Sequence, residues 1–464
     1  MALARQQEPL RQNLSAPEEP TRHATPRTSA TSRIEAGGRT LTTAHMSARL
    51  RTLYGTAAAG QRADRGGGAG RRRLSRLAAV LGVLAIVVGT LGVGTVAAAV
   101  YPVAEPDSFY WAPPDIGSYQ PGDVVRSRSV PAPGFPGATA WQLVYRSTNS
   151  ADAPIAAVTT LLVPGGGGAR PLVSYQPFVN SLGLRCAPSH SLFDGSLREA
   201  PTLNLLLARG WAVAVPDHLG PAGAYGAARL GGRLTLDGVR AVQRFAPAGL
   251  AGSPVGLAGY SGGGMATGFA AALAPEYAPE LPIVGAAMGG VPVNIGKLAL
   301  DVGAAPNPLF GLGFAAANGL EREYPDVMSL DERMTPAGRE LRDRIADACT
   351  DEIIGAAANR SFSDYFTGGV DDVSGAQIGV LHENSLETFP GVPRTPIYQW
   401  HGGSDVVNPW LAREVAGRYC AAGTPVRFDV IPGADHTAAI APGSANAFGY
   451  LADRFAGVPA PSNC

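Results

Sequence analysis

The stretch Val255-Gly256-Leu257-Ala258-Gly259-Tyr260-Ser261-Gly262-Gly263-Gly264-Met265-Ala266 decides how this 464-residue chain is read. Val255–Gly259 is a short apolar run of the kind that forms a buried strand, and the Ala-rich segment Gly262–Leu273 reads as a helix. Between them, Gly259, Ser261 and Gly263 fill a G-x-S-x-G pattern, in which a serine sits on a sharp strand-to-helix turn. The flanking glycines are needed because the turn is too tight for side chains there. Ser261 then projects its hydroxyl over the sheet edge. The backbone N–H of Gly262, at the positive end of the helix, faces the place where an oxyanion would form. In a chain with 60 glycines the pattern alone can arise by chance. Its strand and helix context gives it weight.

A serine hydroxyl is a poor nucleophile until a base takes its proton, so a histidine and an orienting carboxylate are sought downstream. Three histidines follow: His382, His401 and His436. His436 lies in Pro432-Gly433-Ala434-Asp435-His436-Thr437, past the last strand and before the last helix, where a loop can deliver an imidazole. His401 ends a strand and is followed by Gly402-Gly403-Ser404-Asp405, which offers Asp405 as the acid 31 residues before His436. The set Ser261, Asp405, His436 has the chain order serine, acid, histidine that this turn calls for. His401 is expected to pack or hydrogen-bond structurally, and His382, in no metal-binding pattern, to be solvated. Asp435, adjacent to His436 in an extended chain, points away from it.

Outward from this turn the chain alternates strand and helix. Strand-like runs are Trp141–Arg146, Ile155–Val163, Pro171–Tyr175, Trp211–Val215, Ile283–Met288, Pro396–His401 and Val426–Ile431. Helical patterns occupy Ser196–Arg209, Leu234–Phe245 and Ala438–Phe455. Such alternation implies an α/β fold of the α/β-hydrolase kind, a mostly parallel sheet with helices on both faces. Between 291 and 386 the pattern loosens around helical stretches, which reads as a mostly helical lid insertion. The Pro-rich segment 101–136 reads as irregular chain on the surface. Gly165–Gly168 lacks the Lys-Ser/Thr of a phosphate loop, Lys297 lacks its spacing, and the dinucleotide-like glycines of 311–316 follow no strand. No cofactor or metal is expected.

A formal net charge of zero conceals an asymmetry. Residues 1–76 carry 14 arginines against five carboxylates and no apolar periodicity, which reads as a disordered leader; Met46 is an alternative start. The remaining chain is acidic, which argues against nucleic-acid binding. Residues 77–100 hold no charge and follow Arg71, Arg72, Arg73 and Arg76, as in an export signal or a membrane anchor. Ala97-Ala98-Ala99 suits a signal-peptidase site, and either reading exports everything after residue 100. Cys186, Cys349, Cys420 and Cys464 all follow that run. An even number in an oxidising compartment suggests two disulfides, with three pairings open.

Gly259–Gly263, Gln399–Asp405 and Gly433–His436, with Trp141–Thr148, Tyr175–Ser189 and Trp211–Pro221, resemble the secretory lipase family, the group containing fungal lipase A. The similarity spans most of 105–464. It implies hydrolysis of triacylglycerols and related lipid esters at a lipid–water interface, beneath a mobile helical lid with an apolar underside. On the matching positions the triad falls on Ser261, Asp405 and His436. The family's second oxyanion donor, usually acidic, falls on Asn180, whose amide can donate without first being protonated. The resemblance, with position along the chain, also implies the pairs Cys186–Cys349 and Cys420–Cys464. Two rivals stand beside it: an esterase or peptidase for soluble substrates on the same fold, and a membrane-tethered protein that only binds.

Overall fold

The computed structural model describes residues 102–369 and 372–464. The leader and the 77–100 run lie outside the described residues. Among those described, no helix is long and apolar enough to cross a membrane.

Nine strands form one sheet. In chain order they are β1 (Val124–Val130), β2 (Ala138–Thr148), β3 (Pro154–Pro164), β4 (Leu172–Gln176), β5 (Ala212–Pro216), β6 (Val255–Tyr260), β7 (Ile283–Gly289), β8 (Ile397–Gly402) and β9 (Val426–Ile431). Their spatial order is β1-β2-β3-β5-β4-β6-β7-β8-β9. The first three are antiparallel, β3 meets β5 antiparallel, and every pair from β5 to β9 is parallel. Every residue of β4, β5, β6 and β8 is buried. This is what a parallel sheet covered on both faces requires, and why these strands read as mostly apolar runs.

Successive residues feed opposite layers. Leu172, Leu257 and Ala286 join Leu236, Val239, Phe269, Val415 and Tyr419 on one face. Val173, Ala258 and Ala287 join Leu203, Leu206, Phe448 and Leu451 on the other. The helices around the sheet are α1 (Pro188–Asp194), α2 (Ala200–Leu207), α3 (Ala228–Arg244) and α4 (Gly262–Tyr277). Between β7 and β8 come α5 (Ile295–Gly303), α6 (Phe310–Glu323), α7 (Pro336–Ile345), α8 (Thr350–Ala357), α9 (Phe362–Tyr365) and α10 (Gly375–Glu383); α11 (Pro409–Ala421) and α12 (Ile440–Phe455) follow. The arrangement is an α/β-hydrolase sheet, as the alternation implied. Helices α5–α10 have a separate small core, in which Phe310, Phe314, Met334, Leu341 and Ile353 pack with Leu182 from the loop after β4.

Two local expectations differ from the structure. Residues 124–130 lie within the segment expected to be irregular, yet they form the antiparallel edge strand β1. Arg126 and Arg128 alternate there with the exposed Ser127 and Ser129 and are themselves half-buried. Arg128 bonds Gln142 and Asp107. Charges along an exposed edge conceal a strand from an apolar-run search while protecting that edge from other chains. The helix expected over Ser196–Arg209 is shorter, Ala200–Leu207, and is preceded by α1.

Candidate active site

Ser261 is the residue between β6 and α4, and its backbone stands at φ +53°. A non-glycine residue at positive φ is strained, and that strain lifts the side chain clear of the sheet. The glycines around it are forced by contact. A Cβ on Gly263 would lie 1.9 Å from the Gln176 carbonyl oxygen, and one on Gly259 would lie 2.5 Å from Thr267 Oγ1. Only a bare backbone lets α4 start this close to β4.

The loop after β8 carries Asp405 and the loop after β9 carries His436. Gly402 makes their approach possible, since a Cβ there would meet the Ala434 carbonyl oxygen at 2.4 Å. His436 Nε2 is 2.9 Å from Ser261 Oγ, and its Nδ1 is 2.7 Å from Asp405 Oδ1. The Asp405 side chain has no solvent exposure, while His436 keeps 25%. The Val407 backbone N–H also donates to Asp405 Oδ1, at 2.8 Å. The structure therefore brings Ser261, His436 and Asp405 into one relay. Asp435 is not in it; its carboxylate accepts the Ala438 N–H and shapes the next turn. His382 ends α10, half-buried rather than solvated, and burial lowers its pKa. It is absent from the lining of the cavity that Ser261 opens into.

Asn180 is buried beside the turn, and its Oδ1 has no hydrogen-bond partner among the described residues. This atom lies 2.4 Å from where a Cβ on Gly262 would stand. Buried polar residues hold the surrounding loops. Glu199 accepts from Tyr175 Oη and from the Phe178 N–H, both at 2.7 Å, which fixes the segment that carries Asn180. Burial pushes the Glu199 carboxyl up to about 8, against the lowering effect of those two bonds. His218, whose pKa burial lowers to about 4, is a neutral imidazole that donates from Nε2 to the Pro177 carbonyl at 2.8 Å. Tyr260 Oη donates to the His436 carbonyl at 2.5 Å, so the residue before Ser261 holds the backbone of the histidine loop. Asp217, beside His218, accepts from the Ser189 N–H and hydroxyl and orders a sheet-edge loop.

Above Ser261 lies a cavity of about 430 Å³. Its walls are mainly apolar: Ile295, Leu298, Ala299 and Val302 of α5 and Leu312 and Ala316 of α6 face Phe178, Met265 and Ile440. Arg198 is the one Arg, Lys, Asp or Glu on the wall. It is ion-paired with Asp351 of α8. The cysteines join as Cys186–Cys349 and Cys420–Cys464. Among the described residues no cluster of three or more His, Cys, Asp or Glu could hold a metal ion.

Residues 198–463 match the secretory lipase family. A secreted triacylglycerol lipase of Malassezia globosa is 34% identical over 372 residues, 76% of this chain and 79% of that protein. A Mycobacterium tuberculosis protein named a probable inactive lipase is 33% identical over 76% of this chain and 82% of its own length. The X-ray structure of Candida antarctica lipase A superposes with a TM-score of 0.73 at 28% identity, over 78% of this chain and 89% of that one.

Proposed function

Since the chain belongs to the secretory lipase family and is a carboxylic ester hydrolase, we propose that Ser261, His436 and Asp405 form its catalytic triad and that its substrates are triacylglycerols or related lipid esters. The observation that carries this reading is the relay of 2.9 Å and 2.7 Å set at the floor of an apolar cavity. His436 Nε2 takes the Ser261 proton as Oγ attacks the ester carbonyl. Asp405 holds the imidazole with its proton on Nδ1 and stabilises the imidazolium that forms. The tetrahedral oxyanion is met by the Gly262 N–H, which has no partner within its own helix because it opens α4. The Asn180 carboxamide, turned by half a rotation, offers Nδ2 to the same oxygen. His436 then protonates the departing alcohol, and water activated by the same imidazole hydrolyses the acyl-enzyme.

The cavity falls within the roughly 300–1,000 Å³ typical of small-molecule sites. Its largely aliphatic walls suit an acyl chain better than a peptide backbone, whose polar groups would find few partners there. Val406, on the cavity wall, is 45% exposed, and Trp410, four residues on at the start of α11, is 62% exposed. Uncharged apolar side chains exposed in this segment suit docking against a lipid–water interface. Helices α5 and α6 form the lid, with their apolar side towards Ser261. Export, supported by the secreted relatives, places the protein outside the cell or on the outer face of its membrane. Anchoring would fall to residues 77–100.

Hydrolysis of emulsified long-chain triacylglycerol, compared with a soluble short-chain ester, tests the reading together with fluorophosphonate labelling. The expected result is labelling at Ser261 and a rise in rate once the substrate forms droplets. Labelling with smooth saturation through the solubility limit would make it an esterase for soluble substrates. No labelling would leave the fold as a binding protein.

A further inference from the structure

The triad leaves half of its carboxylate unexplained. Asp405 Oδ1 serves both His436 and the Val407 N–H, while Asp405 Oδ2 has no hydrogen-bond partner and no solvent exposure. Opposite it, 3.9 Å away, stands His401 Nδ1, also fully buried and also without a partner. Two orphaned polar atoms facing one another in a dry site are costly unless one is a donor and the other an acceptor. The separation is longer than a hydrogen bond, but catalytic contacts are often long in the unliganded enzyme and tighten as the reaction proceeds.

Which tautomer His401 adopts decides what it does. Burial pushes its pKa down to about 4, so the ring is neutral and carries one proton. Its other nitrogen, Nε2, lies 3.4 Å from the Gln399 side-chain NH₂, which can only donate. An Nε2 that accepts leaves the proton on Nδ1, aimed at Asp405 Oδ2. Turning the Gln399 carboxamide would reverse this and set a bare lone pair against a buried carboxylate oxygen, two acceptors face to face. The ring plane is fixed by stacking on Phe428, with centroids 5.8 Å apart and planes 18° apart. The only titratable groups that act on the ring are Asp405 and His436, and Arg413 stands beyond, over Phe428.

We propose that His401 is a positioning residue for the triad, its Nδ1–H donating to Asp405 Oδ2 so that the carboxylate is held between two imidazoles. His436 sits on one oxygen and exchanges the catalytic proton. His401 sits on the other, keeps its proton, and holds the carboxylate plane in place as charge builds on His436. By drawing off part of the carboxylate's charge, it also keeps His436 from binding its proton too tightly to serve as a base.

This inference rests on the triad reading, so fluorophosphonate labelling accompanies every measurement: loss of labelling in the wild type would sink the triad, not this step. In labelled enzyme, His401→Leu is expected to lower kcat by about tenfold, the worth of one hydrogen bond to a charged group. The acid limb of kcat/KM should move up by on the order of one pH unit. His401→Gln, which restores an amide donor, should recover most of both. A His401→Leu enzyme with wild-type kcat and pH profile overturns the proposal whatever its melting temperature, and so does a His401→Gln enzyme no better than the Leu variant. Should the Leu variant not fold, ¹⁵N NMR of histidine-labelled wild type decides. A protonated Nδ1 at His401, assigned by its absence in His401→Gln, supports the proposal, and a protonated Nε2 overturns it.

Discussion

In the sheet, β4, β5, β6 and β8 are buried end to end, and apolar side chains bind both faces to their helices. The cap, α5–α10, has a small core rich in aromatics, and it meets the sheet region through an apolar patch, where Leu320, Met328 and Val380 pack with Tyr145, Leu230 and Leu234, and through polar and covalent ties. Arg322 of α6 is buried and donates to the carbonyls of Leu182, Ala222 and Ala346. Burial lowers its pKa to about 10, which still leaves it cationic at neutral pH. Cys186–Cys349 ties the loop after β4 to the start of α8, flanked by ion pairs from Arg185 to Asp347 and Glu352. The two regions thus divide the labour. The parallel strands carry the loops that bring Ser261, His436 and Asp405 within hydrogen-bond distance of one another, while the cap is tied down at α6 and α8 and its α5 carries an exposed Lys297–Asp301 pair. Motion in the cap is expected at α5 and the start of α6, away from the α8 anchor.

The sharpest test of this division lies on the sheet side. Ser261→Ala should lower kcat on a soluble ester by on the order of 10⁶-fold, and Asp405→Asn by on the order of 10⁴-fold through the wrong imidazole tautomer, both with unchanged melting. An Asp405→Asn enzyme within tenfold of wild type would move the acid elsewhere. On the cap side, Arg322→Met strands several buried carbonyls. It should remove about 3 kcal/mol or more of stability in denaturant unfolding, with a larger change in long-chain than in short-chain hydrolysis. Equal losses on both substrates would mean that the cap and sheet are one mechanical unit.

Limited proteolysis separates the regions more gently. The first cuts are expected within 291–346 and not at α8, where the disulfide holds the chain. A first cut at 350–357 would contradict the anchoring. The smallest effect concerns pH. Glu199 titrates near 8 in the fold against 4.5 in the free side chain. The folded protein therefore keeps a proton that the unfolded chain has released, and this contribution is complete below about 4.5 and lost as pH rises through 8. Glu199→Gln should flatten the fall in melting temperature between about pH 5 and pH 8. An unchanged slope would show that Glu199 is ionised in the fold.

How much of this was legible follows the same division. The strands from β4 to β8 announced themselves because burial on both faces demands mostly apolar runs. The serine turn did so because its glycines are sterically forced. Asp435 falls away because it adjoins His436 in an extended chain, and His436 is preferred to His401 for its loop past the last strand. The resemblance, not the pattern, pointed to Asn180 and to the cysteine pairing. The arginines of β1 hid an edge strand. Glu199 and Tyr260 escaped notice because a buried polar residue is defined by partners distant in sequence: Tyr260 meets a carbonyl 176 residues away. Nothing in the local sequence marks Arg322 as buried, and only the fold shows the carbonyls around it.

The Cys186–Cys349 bond spans 163 residues and encloses β5, β6, Ser261 and most of the cap, while Asp405 and His436 lie outside the ring it closes. For a chain exported from its N-terminus this imposes a timetable. Cys186 emerges with its partner still far behind, and the nucleophile half cannot be sealed until the cap has followed it across. A single thiol waits through that interval, so the yield of active enzyme depends on how well the receiving compartment delays oxidation or repairs it. Secretion in hosts that differ only in disulfide isomerase should therefore differ in how much protein is correctly joined, more than in how fast the joined protein works.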